Sequence, residues 1–466
     1  MGFSRKAALD DVPEFLREFA TTFTESGYQC FLVGGAVRNI VLGKPPGDFD
    51  VATDASPEVV CELFRRTIPT GIDHGTVTVL FRKHQIEVTT FREDDSYSDG
   101  RRPDSVLFTS DIQSDLSRRD FTVNAMALNL ADGTFVDPYG GTADVRRRLI
   151  RTVGSARDRF REDGLRLLRA LRFSAVLDFE IEEETENALS LEREMLASVS
   201  AERIRDELEK LLGAERPGRV LRKMAESGIM AIIIPELDGC RGEPGGGDYD
   251  LFGHLVATCE ALPPKRVDLR LAGLLHDIGK VSCRTREEDG SVHYHDHERV
   301  GAELAERITR RLKFPNRTIA HVSHLIRLHM FGYEPGRTKD SAVRRLIARA
   351  GRESFADLLA LRRADIAGKT TARIRYPRNL DELEAHAERV LAEDHALTIR
   401  DLRINGNDLA DIGIPRGPDM GVILRELLET VLDDPTQNEA KTLRTIASRI
   451  YEQRLHPGMQ ARDDTE

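Results

Sequence analysis

A chain of 466 residues that is 40% hydrophobic and 32% charged is too long for one ordinary core and too polar for a membrane protein, so three or four soluble domains are expected. The net charge of −11 argues against general affinity for nucleic acid, and the five cysteines, Cys30, Cys61, Cys240, Cys259 and Cys283, form no CxxC pair, so neither a disulfide framework nor a thiolate zinc site is indicated. No apolar run reaches the length of a membrane span and MGFSRKAALDD has no apolar centre, so a cytoplasmic protein with no membrane partner is expected, its oligomeric state open.

The spacing of Val12, Phe15, Leu16, Phe19 and Phe23 predicts a helix over residues 10–24 that stops at Ser26-Gly27 and packs on a sheet. Phe31, Leu32 and Val33 then read as a buried strand, Gly34 and Gly35 permit a tight turn, and AVRNIVLG has the spacing of a short helix. That order can cradle a phosphate with backbone N–H groups, Arg38 adding a charged fork. In GKPPGDFDV, Asp48 and Asp50 stand two apart on a predicted strand, so both carboxylates leave one face, as Mg²⁺ requires. A phosphate loop followed by paired acids is the order that nucleotidyl transfer needs: an anchored triphosphate, and metal ions that activate a hydroxyl and stabilise the leaving pyrophosphate. On these residues the chain resembles the polymerase β superfamily of nucleotidyltransferases and, more closely, the class II tRNA nucleotidyltransferases, the CCA-adding enzymes. Asn39 stands where many relatives carry Asp.

Ser56-Pro57 opens the next predicted helix, and HGTVTVLFRKHQIEVTTF reads as a hairpin turning at Lys83-His84. Glu87 on its second strand is either a third acid or a solvated strand residue. The Asp-, Ser- and Gly-rich stretch that follows has the composition of a mobile loop. The resemblance implies the family's flexible loop, with Tyr97, Asp99, Arg101 and Pro103 in matching positions and Arg102 where many relatives have His. RRDFTVNAMA resembles the second motif, which implies that Arg118 and Arg119 hold triphosphate and that Asp120 bonds a ribose hydroxyl. Read alone, the same residues are equally an N-cap and exposed charge. VDPYGGTADVRRRLI falls at the spacing of a third motif.

From Arg146 to Arg172 basic residues far outnumber acids, and further clusters lie at 310–317 and 373–378, so a local polyanion groove is expected in an acidic protein. Within it, EDGLRLLRALRFSA puts Asp163 and Arg166 three apart on one predicted helix face. A carboxylate that accepts an exocyclic amine, beside a guanidinium that donates to the neighbouring ring position, takes C or A and repels the carbonyl of U or G. An i,i+3 surface ion pair is the commoner use of that spacing. The resemblance to the family's EDxxR motif implies base recognition, and AERIRDELEKLL then implies that Arg203 buttresses the two side chains.

RGEPGGGDY, residues 241–249, reads as a linker. Beyond it, His254, His276-Asp277 with Lys280, and Asp365 fall on helical segments in the order of the metal site of HD phosphohydrolases, which this region resembles. Imidazole with carboxylate suits a divalent transition metal or Mg²⁺. His297 and His329 match further HD-family histidines that bind phosphate or a second metal, whereas His293, His295, His321 and His324 read as surface or packing residues. ALTIRDLRINGNDLADIGIPRGPDMGVILRELLETVLDDP resembles the tail with which bacterial CCA-adding enzymes grip tRNA, and the polar end reads as a frayed terminus.

The expected architecture is therefore an α/β head of the polymerase β-like nucleotidyltransferase type over residues 26–147, followed by an all-α neck over 148–213, an HD domain over 214–385 and a tail over 386–466. The resemblance implies untemplated transfer of CMP and AMP from CTP and ATP to the 3′ end of tRNA, with Asp48 and Asp50 catalytic and holding Mg²⁺. The implied nucleotide-binding set is Gly34, Gly35, Arg38, Arg118, Arg119, Asp120, Asp163, Arg166 and Arg203. The alternatives are a poly(A) polymerase or an enzyme adding only the terminal A and, from another class, an HD phosphohydrolase with an RNA-binding head.

Overall fold

The computed structural model describes residues 9–72, 75–94, 106–245, 247–289, 291–369, 378–393 and 396–455. The expected flexible-loop residues Tyr97, Asp99, Arg101, Arg102 and Pro103, and 373–377 of the last basic cluster, lie outside the described residues. The chain divides into two compact units, one of Met1–Gly239 with Ile308–Phe314, the other of Cys240–Arg307 with Pro315–Glu466.

The first unit is built on a mixed sheet. Its strands are β1 (Cys30–Val33), β2 (Asp50–Thr53), β3 (Thr67–Gly71), β4 (Thr76–Phe81) and β5 (His84–Thr90); β6 (Arg92–Asp94) and β7 (Val106–Phe108) form a separate ribbon; β8 (Ala127–Asn129) and β9 (Phe135–Val136) complete the sheet in the order β3-β4-β5-β2-β1-β8-β9. β2 and β5 run parallel and the other described neighbours antiparallel. The run CFLV is buried at all four positions because β1 lies between β2 and β8, where neither face meets water. The helix Glu14–Glu25 buries Leu16, Phe19, Ala20 and Phe23, the i, i+3, i+4, i+7 stripe of an amphipathic helix. Phe19 stacks on Phe64 at 4.6 Å and meets Phe81 edge-on at 5.3 Å; full burial of the Phe19 ring contributes about 1.5–3 kcal/mol.

After the sheet the chain turns helical. Ala156–Glu162, Leu165–Leu177 and Ala201–Leu212 pack together, and Arg172 reaches across to Glu207 at 2.5 Å. In the second unit Leu251–Glu260 packs on Val267–Leu275 and on Arg352–Ala367. A further core gathers Leu409, Ile423, Leu427, Val431, Leu443 and Ala447 from the terminal helices. The buried Arg344 guanidinium donates to the carbonyls of Leu432 and Asp433, satisfying acceptors that the end of helix Pro418–Asp433 leaves open.

Two local expectations change. Asp48 does not share a strand with Asp50: β2 begins at Asp50, and Pro45-Pro46-Gly47, which offer the ladder few donors, keep the approach irregular. RGEPGGGDY is not a free linker. Asp248 N donates to Lys369 O at 2.9 Å, and a Cβ on Gly247 would lie 1.8 Å from that same oxygen, so glycine is required for the loop to seat.

Candidate functional sites

Gly34, with φ of 68°, turns the chain from β1 into the helix Gly35–Val41, and a Cβ there would sit 3.4 Å from Arg119 Nη1 and 3.5 Å from Asp50 Oδ2. The sheet register places Val33 opposite Asp50 and Asp50 opposite Glu87, which carries all three to the mouth of one cavity of about 550 Å³. Asp48 lines the same wall, while Phe49 turns away to meet the Phe15 ring edge-on at 5.1 Å.

Among the described residues the side chains of Asp48, Asp50 and Glu87 make no hydrogen bond or ion pair, unlike those of the buried Asp115 and Asp120. Burial pushes the Asp50 carboxyl up, Arg119 opposes the shift and Asp48 adds to it; burial and Asp50 together push Glu87 up. Clustered carboxylates without a counter-cation repel, and a divalent cation relieves that repulsion, so this donor set fits a hard metal such as Mg²⁺. The three do not converge as closely as the ligand groups of the second unit.

Arginines line the same cavity. Asp115, fully buried, accepts Arg118 Nε at 3.0 Å and Nη2 at 2.7 Å on one oxygen, and Arg119 Nη2 at 3.1 Å on the other. Arg38 donates from Nη1 to Asn124 Oδ1 at 2.6 Å. Burial and the neighbouring Arg172 push its guanidinium down to about 10. The Nε groups of Arg38 and Arg119 are buried without a hydrogen-bond partner, donors that an anionic ligand would satisfy. Asp120 is already engaged, accepting Arg169 Nε at 2.7 Å and the Phe121 N–H at 2.8 Å.

Asp163 and Arg166 both line the cavity, but Asp163 is not on a helix. It sits at the break between Ala156–Glu162 and Leu165–Leu177 in extended conformation, because its side chain accepts the Leu165 N–H at 3.0 Å and ends one helix while starting the next. The two side chains do not pair with each other. Arg203 Nη2 donates to Asp163 Oδ2 at 2.7 Å, and Arg166 is held by Glu162 and by Arg118 O at 3.1 Å. Arg169, Arg172, Phe173 and Asn124, not singled out from the sequence, complete the lining. Phe173 packs under Arg172, whose Cζ lies 3.7 Å from the ring centroid, with Arg38 and Arg169 at 5.5 Å. The i, i+3 recurrence of Arg166, Arg169 and Arg172 beside Phe173 was a readable signal of one basic helix face.

In the second unit His254, His276, Asp277 and Asp365 converge, each nearly inaccessible. His254 Nε2 lies 3.2 Å from His276 Nε2, 3.5 Å from Asp277 Oδ2 and 3.3 Å from Asp365 Oδ1, and His276 Nε2 lies 3.3 and 3.5 Å from the same two oxygens. Ligands at about 2.1 Å from a shared ion stand about 3.0 to 3.4 Å apart, so the spacing fits a metal. Asp277 Oδ1 turns the other way, 3.2 Å from His297 Nε2 and 3.3 Å from His329 Nε2. Backbone carbonyls of Gly273, Tyr294 and Ile326 lie 2.7 to 2.9 Å from Nδ1 of His276, His297 and His329, which holds the protons there and presents the Nε2 lone pairs inward. His297 Nε2, His329 Nε2 and Asp365 Oδ1 are buried without a hydrogen-bond partner, as expected of ligands awaiting a cation. Burial lowers the His276 pKa but Asp277 and Asp365 outweigh it, raising it to about 10. His321 pairs with Asp268 and Asp357, His324 lies 2.9 Å from Ala350 O, and His293 and His295 are exposed.

Residues 30–151 match the family described as "Poly A polymerase head domain", 178–240 the "Probable RNA and SrmB-binding site of polymerase A", and 298–447 the tRNA nucleotidyltransferase domain 2. The CCA-adding enzyme of Geobacillus stearothermophilus is 48% identical over 215 residues, 46% of this chain and 53% of the relative. That of Lactobacillus delbrueckii subsp. bulgaricus is 41% identical over 251 residues, 52% and 63% of the two chains. The chain thus spans between half and two thirds of the length of these curated relatives. The crystal structure of the Bacillus stearothermophilus CCA-adding enzyme in complex with CTP superposes with a TM-score of 0.72 at 29% identity, covering 95% of this chain and 98% of that one. A Thermotoga maritima CCA-adding enzyme complexed with tRNA shares the fold, with a TM-score of 0.57 at 22% identity over 96% and 98% of the chains. The fold is that of these enzymes, a polymerase β-like sheet head followed by a helical C-terminal region. No helix among the described residues is long and apolar enough to cross a membrane.

Proposed function

We propose that this chain is a tRNA nucleotidyltransferase that adds CCA, without a template, to the 3′ end of tRNA from CTP and ATP. The observation that carries the reading is one cavity lined both by Asp48, Asp50 and Glu87 and by Arg38, Arg118, Arg119 and the Arg203-braced Asp163. The similarity to CCA-adding enzymes, one of them in complex with CTP, supports it. Mg²⁺, held by Asp48 and Asp50 with Glu87 adjacent, would supply activation of the 3′ hydroxyl and stabilisation of the leaving pyrophosphate. Arg118 and Arg119, pinned by Asp115, bind triphosphate at the turn of Gly34 and Gly35, and the unbonded Arg38 Nε adds a donor. Asp120 accepts Arg169 on one oxygen and Phe121 N and Asn124 Nδ2 on the other, the last at a long 3.4 Å, and a ribose hydroxyl would take the place of that weakest donor. Asp163 accepts the exocyclic amine of C or A while Arg166 donates beside it. In this reading 26–147 is the transferase head, 148–213 the neck that reads base and tRNA, and 386–466 a tail that grips tRNA.

A second reading concerns the centre in 214–385. Four converging ligands and a further group sharing Asp277 favour a metal-dependent phosphohydrolase of the HD type, acting on 2′,3′-cyclic phosphates or phosphomonoesters. Damaged tRNA ends carry such groups and must regain a free hydroxyl before they can be extended. Purified protein incubated with tRNA transcripts ending before CCA, lacking only A, or unrelated to tRNA, each with one labelled nucleotide, tests the first reading. Addition of C and then A to the first substrate is expected; addition of A alone, or of a long A tract, would favour an A-adding enzyme or a poly(A) polymerase.

A further inference from the structure

Three cations contact the carboxylates of the histidine and aspartate centre, and metal ligation uses none of them. Lys280 Nζ lies 2.5 Å from Asp277 Oδ2, Arg362 Nη1 donates to Asp365 Oδ2 at 2.7 Å, and Lys369 Nζ lies 3.3 Å from Asp365 Oδ1. Arg362 and Lys369 flank Asp365 at i−3 and i+4, so one helix face and its end present both around the same carboxylate. The ligands themselves are almost inaccessible, whereas the side chains of Lys280, Arg362 and Lys369 are 15, 22 and 37% exposed. The cations are therefore the groups an incoming substrate meets. Their placement is fixed from behind: Arg362 lies 6.0 Å from the Phe331 ring, and the Lys369 carbonyl is clasped by Asp248 N with Gly247 packed against it.

Two carboxylates do not need three cations for neutrality, and any bound divalent ion adds to the positive side. We infer that Arg362 and Lys369, with Lys280, form a phosphoryl-binding rim that selects a dianionic phosphomonoester over a singly charged cyclic phosphodiester. The inference rests on the hydrolase reading of this centre and adds which charge state the site takes and which residues take it. A phosphomonoester presents three non-bridging oxygens and two charges, enough to accept from both a guanidinium and an ammonium; a cyclic diester presents two such oxygens and one charge. Each lost cation therefore weakens the monoester more.

The test uses the full chain as R362Q, K369Q and the double variant. Manganese content and affinity are measured by calorimetry, inorganic phosphate affinity is measured on the manganese-loaded protein, and kcat/KM is measured for a nucleoside 2′-phosphate and the matching 2′,3′-cyclic phosphate. Manganese uptake should match wild type, phosphate affinity should fall about tenfold or more in each single variant, and kcat/KM for the monoester should fall several-fold further than for the cyclic ester. Unchanged phosphate affinity, or equal losses for the two esters, overturns the inference and leaves the hydrolase reading standing. Lost manganese uptake in the variants shows that these residues only orient Asp365, and it also overturns the inference. A wild-type chain that takes up no metal and hydrolyses neither ester overturns the hydrolase reading itself.

Discussion

Asp50, half-buried, and Asp115, fully buried, are both carboxylates of the head, and their surroundings push them in opposite directions. Asp50 has no bonded cation and rises; Asp115 is held by Arg118 and Arg119, which outweigh the effect of burial, and falls. The first side chain is left open and the second is a brace. Asp48→Ala or Asp50→Ala should therefore abolish nucleotide addition while tRNA binding, read by filter retention, stays near wild type; addition at near wild-type rate in both would remove the metal assignment. For Asp115 the folded pKa lies below the unfolded one, so its stabilisation is fully present above the unfolded value near 4 and disappears as pH falls through the folded value. Denaturant melts of wild type should thus lose stability on acidification in that window. Asp115→Asn should cost about 3 kcal/mol at pH 7, flatten the acid limb and raise KM for CTP and ATP alike; a shift in KM for one nucleotide only would place Asp115 in base reading instead.

At the scale of elements, the sequence made β1, the glycine turn and the helix Glu14–Glu25 legible because each depends on local period and local φ. The α/β head with helices after it was expected from the family resemblance together with these local elements. Asp163 was misplaced onto a helix because EDGLRLLRALR reads as one continuous helical run, while the break comes from a side chain capping its own downstream turn. The basic face of Arg166, Arg169 and Arg172 was readable from its spacing, but the pairing of Arg169 with Asp120 and of Arg172 with Glu207 was not, because the partners are 49 and 35 residues distant and only the fold brings them together. This arrangement predicts that base choice depends on the helix Ala201–Leu212 as well as on the EDxxR residues. Asp163→Ala or Arg166→Ala should relax exclusion of U and G by about 1–3 kcal/mol, and Arg203→Ala should do so less, since it frees Asp163 without removing it. Misincorporation measured with each nucleotide decides this; undiminished exclusion in all three variants would mean that other residues read the base.

For the molecule as a whole, each compact unit holds one of the two proposed sites. All the residues proposed for nucleotidyl transfer lie within Met1–Gly239, and both converging ligand groups lie within Cys240–Arg307 and Pro315–Glu466. Neither ligand set borrows a residue from the other unit, so damage to one should be silent in the other. His276→Ala with Asp277→Ala should abolish hydrolysis of a cyclic phosphate in added Ni²⁺, Mn²⁺ or Mg²⁺ and leave CCA addition nearly unchanged. Both side chains are buried, so a thermal melt must accompany the assay. Chelation followed by re-addition of Ni²⁺ or Mn²⁺ should raise the melting temperature of the wild type and not that of the variant, because only the native state of an intact centre binds the ion. Addition that disappears together with hydrolysis, in a variant that still melts cooperatively, would show that the two chemistries are coupled and that a unit complete in its ligands is not complete in its function.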